Sequence, residues 1–114
     1  MKATIWHNPK CSKSRQALEL LHDKGADIEV VKYLETNPTK EQIKDLLSKL
    51  CISPRELMRT KEELYKELLL KDEKEDDKLI DAMVNYPKLI ERPIIITEKG
   101  VVIGRPPEKV LELF

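Results

Sequence analysis

Glycine is scarce in this sequence, with three in 114 residues, at positions 25, 100 and 104, so a Gly-rich phosphate loop is excluded. Aromatic residues make up 4% of the chain, too few for a stacking stripe along single-stranded nucleic acid. Two cysteines, Cys11 and Cys51, do not make a disulfide framework. With two histidines at unrelated spacings they make no credible metal cluster. No charge of one sign prevails: Lys+Arg and Asp+Glu number 21 each, which removes any bulk attraction to nucleic acid or an acidic membrane. No apolar run approaches the roughly 20 residues of a membrane helix. The N-terminal Met1–His7 is too short and polar for a signal peptide, so the cytoplasm is the expected compartment.

What is present fits one domain, 1–114, with enough chain to bury a single core. Residues 2–6 read as a strand and 13–24 as an amphipathic helix, with Ala17, Leu18, Leu20 and Leu21 on one face and Gly25 as its stop. Ile28–Leu34 reads as a second strand. A strand–helix–strand unit of this size predicts parallel pairing with a right-handed crossover. Capping-box patterns at Thr39–Gln42, Ser53–Glu56 and Thr60–Glu63 predict helices in the middle of the chain. The charged run Lys71–Lys78 reads as a solvated linker, followed by a helix through Leu79, Ile80, Met83 and Val84. Pro93–Thr97 and Val101–Ile103 read as a hairpin about Glu98-Lys99-Gly100, and a short helix carries Val110, Leu111 and Leu113. The order βαβ, helices, ββα predicts an α/β, thioredoxin-like fold with a helical insertion at about 39–86.

The first strand runs through the loop His7-Asn8-Pro9-Lys10 into Cys11 at the mouth of the first helix. The first amides of a helix lack intrahelical partners, and the helix dipole favours an anion there. Such a setting lowers a cysteine pKa and produces the nucleophilic thiolate. Two readings of Cys11 follow, a small buried apolar residue or a reactive thiol, and its position favours the second. His7 is either an ordinary loop histidine or a support for Cys11. Ser14 is either a first-turn helix residue or a hydrogen-bond partner of the thiolate. Arg92 and Arg105 precede prolines, which holds both on non-helical backbone at one end of the hairpin. Together with Arg59 they are either surface charges or paired donors to a tetrahedral oxyanion. Cys51 follows Leu50 at a helix end and reads as structural. In Cys11-Ser12-Lys13-Ser14, serine stands where a dithiol oxidoreductase has its second cysteine, so a thiol cycle calls for a resolving thiol from outside or for Cys51 brought near by the fold, and the external thiol is the favoured reading.

These residues give the chain a resemblance to the glutaredoxin-coupled arsenate reductase family, the ArsC type. It runs through His7-Asn8-Pro9-x-Cys11-Ser12-x-Ser14-Arg15, Tyr33-Leu34-Glu35-Thr36, Leu57-Met58-Arg59 and Leu79-Ile80-x-Ala82-Met83. It continues through Pro87-x-Leu89-Ile90-Glu91-Arg92-Pro93-Ile94 and Ile103-Gly104-Arg105-Pro106-Pro107-Glu108. The forms Cys-Ser-Lys-Ser-Arg and Gly-Arg-Pro-Pro-Glu are most similar to the short YfgD-like branch. The resemblance implies a thioredoxin-like fold with a helical insertion and a cis Arg92-Pro93 bond. It implies Cys11 as nucleophile, His7 and Ser14 as supports of its thiolate, and Arg59, Arg92 and Arg105 as oxyanion ligands. The implied reaction reduces arsenate to arsenite with glutathione as co-substrate and glutaredoxin as partner, without bound cofactor or metal, in a monomer. Two other functions stay open: a general thiol oxidoreductase acting on glutathione mixed disulfides, and an Spx-like regulator that binds RNA polymerase.

Overall fold

The computed structural model describes residues 1–114, which divide into two compact units. The first comprises Met1–Glu35 and Arg92–Phe114; the second is Thr36–Glu91.

The first unit is built on a four-stranded sheet of order β2-β1-β3-β4. Strand β1 (Lys2–Trp6) pairs parallel with β2 (Asp27–Val31) and antiparallel with β3 (Ile94–Thr97), and β4 (Gly100–Ile103) completes the hairpin with β3. Position in the sheet explains composition. Central β3 buries both Ile94 and Ile95, as a strand covered on both faces requires. Edge strand β2 leaves Val30 exposed and carries Asp27 and Glu29 in the charged manner of edges. Helix α1 (Ser12–Asp23) crosses between the two parallel strands. Its Ala17 and Leu21 join Ala3, Ile5, Ile95, Val110 and Leu113 in one buried cluster.

Two amide bonds past the end of α1, Gly25 N–H to His22 C=O at 2.9 Å and Ala26 N–H to Leu21 C=O at 3.1 Å, form a Schellman stop. Gly25 holds φ +70° there, a conformation glycine takes without side-chain strain.

Strand β2 ends at Val31, three residues short of the predicted Leu34. Tyr33–Thr36 instead forms one helical turn, α2. Tyr33 is buried, and its ring stacks on Trp6 with centroids 6.1 Å apart, so the turn is shaped by tertiary burial that overrides its β-favouring sequence. The terminal segment Pro107–Leu113 is a 3₁₀ helix. Both Arg92-Pro93 and Arg105-Pro106 are cis; the family resemblance implied only the first.

In the second unit, α3 (Lys40–Leu50) starts with the predicted capping box. Thr39 Oγ1 accepts from Gln42 N–H at 3.1 Å, and Gln42 Oε1 accepts from Thr39 N–H at 2.9 Å. The Ser53 pattern produces only a 3₁₀ turn, Pro54–Leu57. The Thr60 box does not form. Helix α4 is Glu63–Glu67, and Glu62, rather than Thr60, stands before it. The charged run is not a plain linker, since Leu70–Asp72 makes a 3₁₀ turn and α5 (Asp76–Asn85) begins inside it. Arg55 explains the order of this stretch. Its guanidinium donates to the Leu70 carbonyl at 2.9 Å, to the Glu73 carbonyl and to the Tyr65 hydroxyl. Ile43, Leu46 and Leu47 of α3 and Leu79, Ile80 and Met83 of α5 are buried at helical spacing, and the two helices pack together.

Gly104, at the exit of β4, lies where side chains are crowded. Its N–H donates to the Pro93 carbonyl at 2.8 Å. A Cβ there would lie 2.9 Å from Pro93 Cγ and 3.1 Å from Ile95 Cδ1. Gly104→Ala is therefore expected to cost about 1–3 kcal/mol through overpacking, read as a lowered urea midpoint at unchanged slope. An unchanged midpoint would show that this corner yields freely.

Candidate active site

Cys11 occupies the N-cap position of α1 on extended backbone, with φ −95° and ψ 122°. The fold puts it there directly. β1 is a central strand whose carboxyl end feeds the loop 7–10, and His7 N–H continues the parallel pairing by donating to Val31 C=O at 2.9 Å. Within the loop, Cys11 N–H donates to Asn8 C=O at 3.0 Å and Lys10 N–H to Asn8 Oδ1 at 3.1 Å. Arg15 reaches back from α1 to the Pro9 carbonyl at 2.8 Å. The loop is thus fastened to the strand before it and the helix after it.

Cys11 is partly exposed, as a nucleophile must be. Burial raises its pKa, but the Ser14 amide, the Arg92 guanidinium and the Lys13 amide favour the anion. Together they bring the pKa below the ordinary thiol value. Arg92 responds in kind. Burial lowers its pKa, and the Cys11 sulfur together with the Tyr33 phenol raises it above the usual guanidinium value. Cys11 and Arg92 form a charge-assisted pair.

His7 is buried, and its Nδ1 lies 2.6 Å from Ser14 Oγ. Its pKa is lowered by burial first and then by the positive charges of Lys32 and Arg15, which keeps the ring neutral at pH 7. Ser14 is fully buried, and its Oγ accepts from Asn8 N–H at 3.1 Å. The hydroxyl keeps its proton and a second lone pair, so it can bond Nδ1 of a neutral imidazole in either direction. Of the two supports expected for Cys11, His7 therefore faces Ser14 as a neutral hydrogen-bonding partner. Ser14 faces Cys11 through its amide while its hydroxyl ties the loop.

Arg105 Nη1 donates to the Arg92 carbonyl at 3.1 Å, so the two arginines meet at one end of the hairpin. Arg59 belongs to the second unit. Its backbone N–H donates to Leu89 C=O at 2.7 Å beside the Met58–Ile90 bridge, and its Nε donates to Glu62 Oε1 at 3.1 Å. Cys51 is exposed at the end of α3 in the left-handed region, φ 56°, with its thiol 3.5 Å from Ser48 C=O. Sequence reasoning gave no role to Tyr33, which stands beside Arg92, or to Glu62, which holds Arg59. Tyr33 was read as strand, and Glu62 passed as part of a capping pattern. No group of three or more His, Cys, Asp or Glu side chains is placed to hold a metal ion, and no helix is long and apolar enough to cross a membrane.

The sequence pattern of the ArsC family matches residues 6–113. The chain belongs to the ArsC family. It is 54% identical to the uncharacterized protein YfgD of Escherichia coli over 96% of this chain and 93% of that one. To an arsenate reductase of Neisseria meningitidis it is 47% identical, covering 93% and 92% of the two chains. The structure of an arsenate reductase from Vibrio cholerae superposes on it with a TM-score of 0.96 at 52% identity, covering 100% of this chain and 98% of that one. The ArsC fold, thioredoxin-like with four strands, is the one expected from the order of elements.

Because Arg92 lowers the Cys11 pKa, Arg92→Met is expected to move the pH midpoint of iodoacetamide alkylation upward. In the wild-type protein that midpoint is expected to lie below that of an ordinary thiol. The sign follows from charge: removing a cation disfavours the thiolate. A midpoint that stays put after the substitution would remove Arg92 from the thiolate's environment.

Proposed function

We propose that this ArsC-family protein reduces arsenate to arsenite by a glutathione- and glutaredoxin-dependent cycle through Cys11. The observation that carries the reading is the pairing of a thiol of lowered pKa at the mouth of α1 with the Arg92 guanidinium, to whose backbone Arg105 is joined. The arsenate reductases among its relatives supply the substrate class.

In this reading Arg92, Arg105 and Arg59 bind the oxyanion and stabilise charge that develops on its oxygens, since each guanidinium can donate paired hydrogen bonds. The Cys11 thiolate attacks arsenic(V), and one oxygen ligand leaves as water after taking up a proton, giving a covalent S–As(V) adduct. The sulfur of glutathione then attacks the Cys11 sulfur of that adduct. The S–As bond breaks, its electron pair stays on arsenic as arsenic(III), and an S–S bond forms between Cys11 and glutathione. Arsenite leaves as arsenous acid. Two thiols have supplied the two electrons, and no cofactor of the protein's own enters. Ser14 stands where a resolving cysteine would be, so the mixed disulfide passes to glutaredoxin, which a second glutathione regenerates. The cycle is written for one chain, a monomer in the cytoplasm.

The test couples NADPH oxidation to turnover through glutathione reductase, glutathione and glutaredoxin. Arsenate-dependent oxidation is expected for wild type and none for Cys11→Ser. Arg105→Ala is expected to lower kcat/KM for arsenate about 10–100-fold, the loss of one or two charge-assisted hydrogen bonds. If the wild-type rate ignores arsenate but rises with glutathionylated protein, the chain is a general thiol oxidoreductase. Retention of RNA polymerase subunits in place of either activity would make it a regulator.

A further inference from the structure

Arg59, a proposed oxyanion ligand, carries a carboxylate on its guanidinium. Its Nε donates to Glu62 Oε1 at 3.1 Å, and both side chains are only 22% exposed. Glu62 stands at the N-cap position of α4, where a shorter Ser, Thr, Asp or Asn side chain would accept from the first amides of the helix. Glu62 makes no such cap. Its side chain goes to Arg59, while its backbone N–H donates to the Arg59 carbonyl at 3.0 Å.

The geometry of that contact is selective. The hydrogen bond is made through Nε, on the flank of the guanidinium, and leaves the end-on edge formed by Nη1 and Nη2. That edge presents two parallel N–H donors, one from each terminal nitrogen, and can engage two oxygens of a tetrahedral anion at once. The backbone beneath is fixed as well, because Arg59 N–H is bonded to Leu89 C=O and Met58 pairs with Ile90. Arg59 is therefore held at both ends of its side chain.

We propose that Glu62 is a positioning residue for oxyanion binding: it clamps the flank of Arg59 so that the two-nitrogen edge is presented before the substrate arrives. This rests on the reading of Arg59 as an oxyanion ligand given above. A carboxylate next to a guanidinium also offsets its charge, which opposes anion binding. Orientation outweighs this opposition because the carboxylate is confined to the Nε side, away from the edge that meets the anion. An anion that finds a free arginine must first immobilise a long, rotamer-rich side chain, and the clamp removes that cost from binding.

The experiment measures kcat and KM for arsenate at saturating glutathione and glutaredoxin in the wild type, Glu62→Ala, Glu62→Gln, Arg59→Ala and the double variant Glu62→Ala/Arg59→Ala. Glu62→Ala is expected to raise KM three- to tenfold with kcat within twofold. Glu62→Gln should restore most of the affinity, since its amide oxygen accepts the same hydrogen bond. In the Arg59→Ala background, Glu62→Ala should have no further effect. A merely structural role at the start of α4 would lower the melting temperature and act alike in both backgrounds, which would overturn the proposal. An unchanged or lowered KM in Glu62→Ala, or failure of glutamine to rescue, would also overturn it. If Arg59→Ala itself leaves KM unchanged, the oxyanion role of Arg59 falls and the clamp falls with it. If Arg59→Ala raises KM and Glu62→Ala does not, only the clamp falls. A wild type without arsenate turnover overturns the proposed substrate and this inference together.

Discussion

A negative charge on the Cys11 sulfur is the constraint around which the first unit is arranged. An anion at a partly buried position is costly unless fixed dipoles and a counter-charge meet it. Three features meet it here. The α1 amides of Ser14 and Lys13 have no helical partner and are turned to the sulfur. Arg92 supplies the cation, and the hairpin that delivers Arg92 is paired to the same central strand that delivers Cys11. The packing of α1 through Ala17 and Leu21 onto Ile5 and Ile95 then fixes the helix mouth against the sheet. Losing the helix amides or Arg92 would raise the thiol pKa, because burial alone drives it upward.

The polar groups beneath the sulfur follow from the same need. A protonated His7 would add charge to a neighbourhood that already holds Lys32, Arg15 and Arg92. Keeping the ring buried and neutral leaves it as a hydrogen-bonding partner of Ser14 instead. Ser14 Oγ in turn takes the Asn8 amide, so a buried hydroxyl, a buried ring and a loop N–H are satisfied in one chain of bonds. Support of Cys11 is mechanical at His7 and electrostatic at Arg92.

Much of this could be read from residues. The strand, Cys11 at the helix mouth, the Gly25 stop, the Thr39 capping box and the hairpin with Arg92 and Arg105 at one end all rest on local rules, and the structure keeps each of them. The departures share a cause. Tyr33 carries a strand-like sequence but turns helical because its ring is buried on Trp6, a contact 27 residues away. The Thr60 box is well formed on paper, yet Glu62 is drawn to Arg59 and the helix begins beyond it. The run Lys71–Lys78 looks solvated by composition, but Arg55 organises it through backbone carbonyls, acceptors that any sequence would offer. In each a specific side-chain partner decided: those of Tyr33 and of the Arg55 carbonyl contacts lie 15 or more residues away, while Arg59 is only three residues from Glu62 and competes locally with the capping pattern.

The second position of the motif closes the argument about chemistry. In a dithiol protein the residue three places after the nucleophile is itself a thiol and resolves the mixed disulfide from within. Here that residue is Ser14, wholly buried, with its side chain engaged by His7 and Asn8. A thiol in its place would be a poor substitute, because sulfur is a weak hydrogen-bonding partner and would leave a buried amide and ring nitrogen poorly satisfied. The site thus has no internal resolving thiol and instead a well-bonded loop beneath a partly exposed Cys11. Such a thiolate suits a reaction in which the first covalent partner is an oxyanion held by arginines and the second is a thiol arriving from solvent. In the proposed cycle the cationic surroundings that lower the Cys11 pKa would also favour both partners, since arsenate and glutathione are anions at neutral pH.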